Sequence, residues 1–154
     1  MVPMSTPHSI RMIDVGSKPV SPRTARASAR LRAAPETIRR IRAQELEKGD
    51  AIATARLAGI MAAKRTSDIV PLCHPLPLDA VEMAISFAQP GQVVVEAVVR
   101  TTARTGVEME ALTAVTAAAL TIYDMCKSID RGMAIEEVRL DSKTGGQSGD
   151  YVRS

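Results

Sequence analysis

The sequence predicts an α+β domain in which helices pack on one face of an antiparallel sheet. Three observations carry that expectation. Two apolar runs, "AVEMAISFA" (80–88) and "QVVVEAVVRTT" (92–102), are separated only by "QPG" and read as a hairpin. "VEMEALTAVTAAALTIYDMCKSI" (107–129) is apolar nearly all round, the pattern of a helix buried on most sides. The segments follow the order β, α, α, β, β, α, β, with no internal repeat.

Residues 1–9 read as a loose leader of Pro, Ser and Thr, ahead of a single domain spanning 10–154. "RMIDVGSKPVSPRTA" (11–25) is expected to be extended and irregular, interrupted by Gly16, Pro19 and Pro22. "RASARLRA" (26–33) alternates as a strand does. "PETIRRIRAQEL" (35–46) opens with Pro35 and Glu36 and sets Ile38 and Ile41 on one side, which predicts an amphipathic helix. Gly49 then interrupts, and Asp50 caps a second helix within "KGDAIATARLAGIMAAKR" (48–65), whose Ala and Gly residues permit close approach. "IVPLCHPLPL" (69–78) is too stiff for a helix and too broken for a central strand. After the long helix, "AIEEVRLDS" (134–142) reads as a strand and "KTGGQSGDYVRS" as a flexible tail.

A chain of 154 residues supports one core. Aromatic residues make up only 2%, so that core is built from Ala, Val, Ile, Leu and Met. Small side chains each bury little area, at about 25 cal/mol per Å². Association between copies is the expected supplement. Residues 1–48 hold ten Lys or Arg against four acids, and the rest ten against thirteen. Such a basic third can steer a phosphorylated ligand or complement another subunit. With one Phe, two Tyr and no Trp there is no stacking platform for single-stranded nucleic acid, so none is expected as a partner. No membrane partner is expected either: "ALTAVTAAALTIY" (111–123) is too short to span a bilayer, and "MVPMSTPHSI" lacks a signal peptide's apolar stretch. Two cysteines form no disulfide framework, and the protein reads as cytoplasmic with reduced thiols.

Four places concentrate polar groups. In "PLCHP", His74 carries an imidazole, a side chain that suits either catalytic proton transfer or structural hydrogen bonding. Cys73 beside it makes a poor zinc pair, and adjacent side chains on extended backbone diverge, so a buried structural thiol is expected. Glu108 and Glu110 enter the long helix, where the macrodipole favours acids. Two carboxylates together also suit the N–H edge of a guanidine-like group. Asp124 and Lys127, three apart, share a helix face and form either an exposed ion pair or a general acid/base pair. An acid at that end of a helix is expected to have a raised pKa. Finally, Arg23, Lys48, Lys64, Arg65 and Lys143 are surface cations or anion ligands, Lys48 standing just before a helix N-terminus. No Walker or GxGxxG pattern is present.

Read together, "MIDVGSKPVSPRTARA", "KGDAIATARLAGIMAAKRTSDIVPLCHPLPL", "TGVEMEALTAVTAAALTIYDMCK" and "VRLDSKTGGQSGD" closely resemble the cyclic pyranopterin monophosphate synthase family, molybdenum cofactor biosynthesis protein C, over nearly the whole chain. The resemblance implies a ferredoxin-like fold and a homohexamer, a trimer of dimers with active sites at subunit interfaces. It implies a lyase acting on a cyclised dihydroguanosine triphosphate, releasing diphosphate and cyclic pyranopterin monophosphate. No metal or organic cofactor is implied, with Mg²⁺ able to accompany the triphosphate. By motif, Asp124 and Lys127 take the catalytic positions, with His74 beside them. Leu72, Cys73, His74, Met109 and Glu110 fall in substrate-binding segments, and Arg23, Lys48, Glu108 and Lys143 in further active-site positions. Arg104 and Ala103 stand where the family's "GKTG" has Lys and Gly, and Gln147 where its tail has a second Lys. These departures bear on phosphate affinity.

Overall fold

The computed structural model describes residues 7–154; residues 1–6 of the expected leader lie outside the described residues. Alternation builds the central strand β1 (Ser21–Arg32): Ala25, Ala27, Ala29 and Leu31 are buried, while Arg26, Arg30 and Arg32 take the opposite face. β1 begins earlier than its Pro content suggests. Pro22 pairs opposite Thr102, but the β4 ladder starts only at Thr24, so its missing N–H sits where one neighbour is absent.

Helix α1 (Pro35–Ala43) starts on its proline and stops at Gln44, which adopts a left-handed conformation. α2 (Ala51–Lys64) is capped as expected: the Asp50 carboxylate accepts the Ala53 N–H at 3.0 Å. A short α3 (Thr66–Ile69), not anticipated, leads into the irregular proline run. The hairpin is β2 (Leu78–Ala88) and β3 (Gln92–Ala103), then α4 (Glu108–Cys126) and β4 (Ala134–Thr144). Within the Gly-rich tail a two-residue strand, β5 (Tyr151–Val152), pairs with β4.

The sheet is antiparallel throughout, in the order β2-β3-β1-β4-β5. Setting β5 aside, β1-α2-β2-β3-α4-β4 with that order is the ferredoxin-like arrangement the resemblance implies. α4 packs on β1, β3 and β4, and α2 lies along α4 and over β2. Their approach depends on small residues. Ala111, Ala114 and Ala118 are fully buried, and a Cβ at Gly59 would stand 3.1 Å from the Ala114 carbonyl oxygen. Among the described residues no helix is long and apolar enough to cross a membrane.

α1 buries only Thr37 and Ile41, and its N-terminus is tied down from elsewhere. Beyond α4, one Asp130 oxygen accepts the Ala34 N–H at 2.9 Å and the Thr37 hydroxyl at 2.8 Å. The other accepts the Gly132 N–H at 3.1 Å. Asp130→Ala is expected to cost about 2 kcal/mol of folding stability through lost charge-assisted bonds, read from the urea midpoint at constant slope.

Candidate active site

Most of α4's length is committed to packing, and its charged side chains gather at its two ends. At the C-terminal end, Asp124 lies between two lysines. Lys127 Nζ donates to one carboxylate oxygen at 2.8 Å, from one turn along the same helix. Lys48 Nζ donates to the other at 2.7 Å, from the loop that Gly49, at φ +106°, turns into α2. The raised pKa expected for Asp124 is overturned. Hydrogen bonding from Lys127 and then Lys48 holds its carboxyl well below the usual range, at about 2. Two ammonium groups in direct contact outweigh the diffuse partial charge of the helix terminus. Asp124 raises the Lys127 ammonium in return.

The other end of α4 faces the proline run. Leu72, Cys73 and His74 from that run, with Glu108 and Met109 from the first helical turn, line a cavity of about 400 Å³. The run is held in place. The Cys73 N–H donates to the Val70 carbonyl at 3.1 Å, and the Thr101 hydroxyl of β3 donates to the Pro77 carbonyl. His74 also borders a second, more open hollow with Pro75, Pro77 and Arg104. Lys143 of β4 reaches Glu108 at 3.8 Å. Arg23 of β1 donates from Nη2 to the Arg104 carbonyl at 3.2 Å and lies beneath Gly146, where a Cβ would strike its guanidinium. Its Nε is buried without a partner. Lys64 and Arg65 end α2 away from this cavity's lining.

Glu110 differs from its neighbours. It is 2% exposed and does not line the cavity; it stands behind Cys73, whose thiol approaches its Oε2 at 3.8 Å. Burial pushes its carboxyl above the usual value, and burial likewise pushes the Cys73 thiol up. Cys73 is half-buried and lines the cavity, where the sequence led to the expectation of a buried thiol.

The sequence reading missed the cavity's third wall. Ile13, Val15 and Lys18 line it from the segment expected to be irregular. That segment forms a defined turn, in which the Asp14 carboxylate accepts the Gly16 N–H at 2.8 Å and the Val15 carbonyl accepts the Lys18 N–H at 3.0 Å. The available signal was the Asp-x-Gly spacing, an Asx-turn pattern.

Asp124 lies sixteen residues along α4 from Glu108, roughly 24 Å at 1.5 Å per residue. Within one chain, then, the structure joins Lys48, Asp124 and Lys127, and separately gathers His74 with Leu72, Cys73, Met109, Glu108, Lys143 and Arg23. It does not bring Asp124 to His74. Among the described residues no three His, Cys, Asp or Glu side chains assemble as a metal ligand set.

Comparison with known proteins matches residues 12–146 to the model of the MoaC family. The chain is 56% identical over 144 residues to the cyclic pyranopterin monophosphate synthase of Streptomyces coelicolor, covering 94% of this chain and 84% of that protein. It is 56% identical to cyclic pyranopterin monophosphate synthase 1 of Mycobacterium bovis (94% and 85% covered). The Desulfitobacterium hafniense synthase is 50% identical over 143 residues (93% and 88% covered).

Because Lys127 contributes most to the depressed Asp124 carboxyl, Lys127→Ala is expected to move its titration from about 2 toward the ordinary 3.8, with Lys48→Ala giving a smaller rise. Carboxyl-carbon NMR reads both. The sign follows from linkage: a carboxyl depressed on folding adds stability that is full above its unfolded value and is lost as pH falls through its folded one. Here that window runs from 3.8 down to about 2. Solvent screening keeps its contribution small.

Proposed function

The chain belongs to the MoaC family, and from that membership and the geometry of its two polar ends we propose that it converts (8S)-3′,8-cyclo-7,8-dihydroguanosine 5′-triphosphate to cyclic pyranopterin monophosphate and diphosphate. This is a step of molybdenum cofactor biosynthesis, carried out in the cytoplasm by an enzyme of the phosphorus–oxygen lyase class. The observation that carries the chemistry is Asp124 gripped by Lys48 and Lys127 at 2.7 and 2.8 Å.

A carboxylate so held is a weak base while the site is empty. The triphosphate supplies competing negative charge. Drawing Lys48 toward a phosphate oxygen relieves Asp124 of one cation and makes it basic when substrate is present. Opening the guanine-derived ring and rebuilding it as a pyranopterin requires repeated proton transfers, which Asp124, Lys127 and His74 are suited to perform. In the phosphate step a sugar hydroxyl oxygen bonds to the α-phosphorus, the bond from that phosphorus to the bridging oxygen breaks, and diphosphate leaves. The hydroxyl proton passes to a carboxylate or imidazole. Arg23, Lys48 and Lys143 offset the charge that develops. Leu72, Cys73, His74 and Met109 form the wall on which the base rests, with Glu108 accepting from its N–H edge. No resident metal or organic cofactor enters these steps; Mg²⁺ arrives, where it does, with the triphosphate.

The distance between the two ends of α4 supports a shared site. One copy supplies Lys48, Asp124 and Lys127, and another supplies His74 and its neighbours, in a homohexamer arranged as a trimer of dimers. The exposed apolar side chains Leu57 and Met61 of α2 and Leu120 of α4 are in keeping with subunit association. A silent nucleotide-binding module is the alternative, and diphosphate release from the cyclised substrate separates the two.

His74→Ala and Asp124→Asn are each expected to lower turnover by about 10³-fold or more while leaving the circular dichroism spectrum unchanged. Subunits of the two variants, unfolded together and refolded as a mixture, are expected to regain activity that neither shows alone. A mixture as inactive as its parents would rule out a shared site.

A further inference from the structure

The mechanism above leaves one buried carboxyl unused. Glu110 is 2% exposed, and its Oε1 is buried with no hydrogen-bond partner. Among the described residues no Lys or Arg forms an ion pair with it; Lys143 reaches Glu108, two residues before it, instead. An ionised carboxylate in such a place would leave a full charge desolvated and unpaired, which is among the costliest arrangements in a protein interior. A neutral acid leaves only a carbonyl oxygen unpaired.

Counting hydrogens leads to the same state. The Cys73 sulfur lies 3.8 Å from Glu110 Oε2 and 3.7 Å from the His74 carbonyl oxygen. A thiol has one hydrogen, and both neighbours are oxygens. With Glu110 ionised, one of the two contacts has no hydrogen in it. With Glu110 protonated, the carboxyl O–H donates to sulfur and the thiol S–H donates to the His74 carbonyl. Both contacts are then hydrogen bonds.

We propose that Glu110 carries its proton in the folded protein and serves as a positioning residue: the chain from its carboxyl through the Cys73 thiol to the His74 carbonyl sets the backbone from which the His74 imidazole projects. This rests on the proposed reaction for its catalytic consequence, though not for the proton itself. Burial is the largest influence on Glu110 and outweighs its own backbone N–H and the Cys73 thiol, which both favour the charged form. Glu108 on the same helix repels that form. Cys73 supplies only a weak thiol donor.

The proton is tested without turnover. Glu110's carboxyl carbon, followed by NMR, is expected to titrate above the ordinary 4.5 and to be still protonated at the pH at which turnover is measured. A carboxyl raised on folding contributes stability that is full below its unfolded value and is lost as pH rises through its folded value. The melting temperature of the wild type relative to Glu110→Gln is therefore expected to fall as pH climbs from 4.5. A carboxyl already ionised at the pH of the turnover assay, or a pH-independent difference between the two proteins, overturns the proposal.

The positioning role is read from kcat with the cyclised triphosphate. Glu110→Ala is expected to lose about 100-fold, the scale of a misplaced catalytic group. Glu110→Gln, whose amide can donate to the Cys73 sulfur, is expected to recover most of that loss. A Gln variant as slow as the Ala variant, with both folded by circular dichroism, overturns the role. A wild-type protein inert toward the cyclised triphosphate would instead sink the reaction assignment and leave the titration standing.

Discussion

α4 meets β1, β3 and β4 with one side and α2 with another, so most of its circumference is spent on packing. Its charged side chains stand only at its ends. Its first turn holds Glu108, Met109 and Glu110; its last holds Asp124, with Lys127 just beyond. Everything else in the candidate site is brought to one of these ends by another element: the proline run and the Asp14 turn to the first, the Lys48 loop to the second. The length of the helix then keeps the two groups apart within a chain.

The two ends also treat carboxylates in opposite ways. Asp124 is exposed and in contact with two ammonium groups, which stabilise its charge. Glu110 is enclosed, with one thiol beside it, and its charge is disfavoured. One residue class thus supplies an anion at one end and a carboxyl whose charge is penalised at the other, and the difference lies entirely in what surrounds each group. Sequence position near a helix terminus had suggested a raised value for Asp124. Partners remote in sequence decided otherwise, Lys48 standing 76 positions away.

The elements whose signal is local were legible in the sequence. The hairpin follows from two apolar runs across "QPG", α2 from Asp50 after Gly49, and α4 from its unbroken apolar character. Less legible were features decided by tertiary pairing. β1 extends back to Ser21 because β3 offers partners up to Ala103, despite a proline within the run. The turn that brings Lys18 to the cavity looked like linker because its fixing bonds are few and its value appears only once the proline run lies opposite. Glu110 and Glu108 were indistinguishable as acids at a helix start; register alone sends one into the interior and leaves the other at the mouth of the cavity.

The core is made largely of the smallest side chain that can still be called apolar. Ala25, Ala27, Ala29, Ala55, Ala97, Ala111, Ala114, Ala118 and Ala119 are all sealed within it. From alanine, nearly every exchange adds atoms. Damage to this interior therefore comes as crowding, which shifts backbones, and seldom as a hollow that neighbours can relax around. The spacing between α2, α4 and the sheet is consequently defended from one direction only, and inherited variation will accumulate on the rim of the molecule long before it reaches the centre.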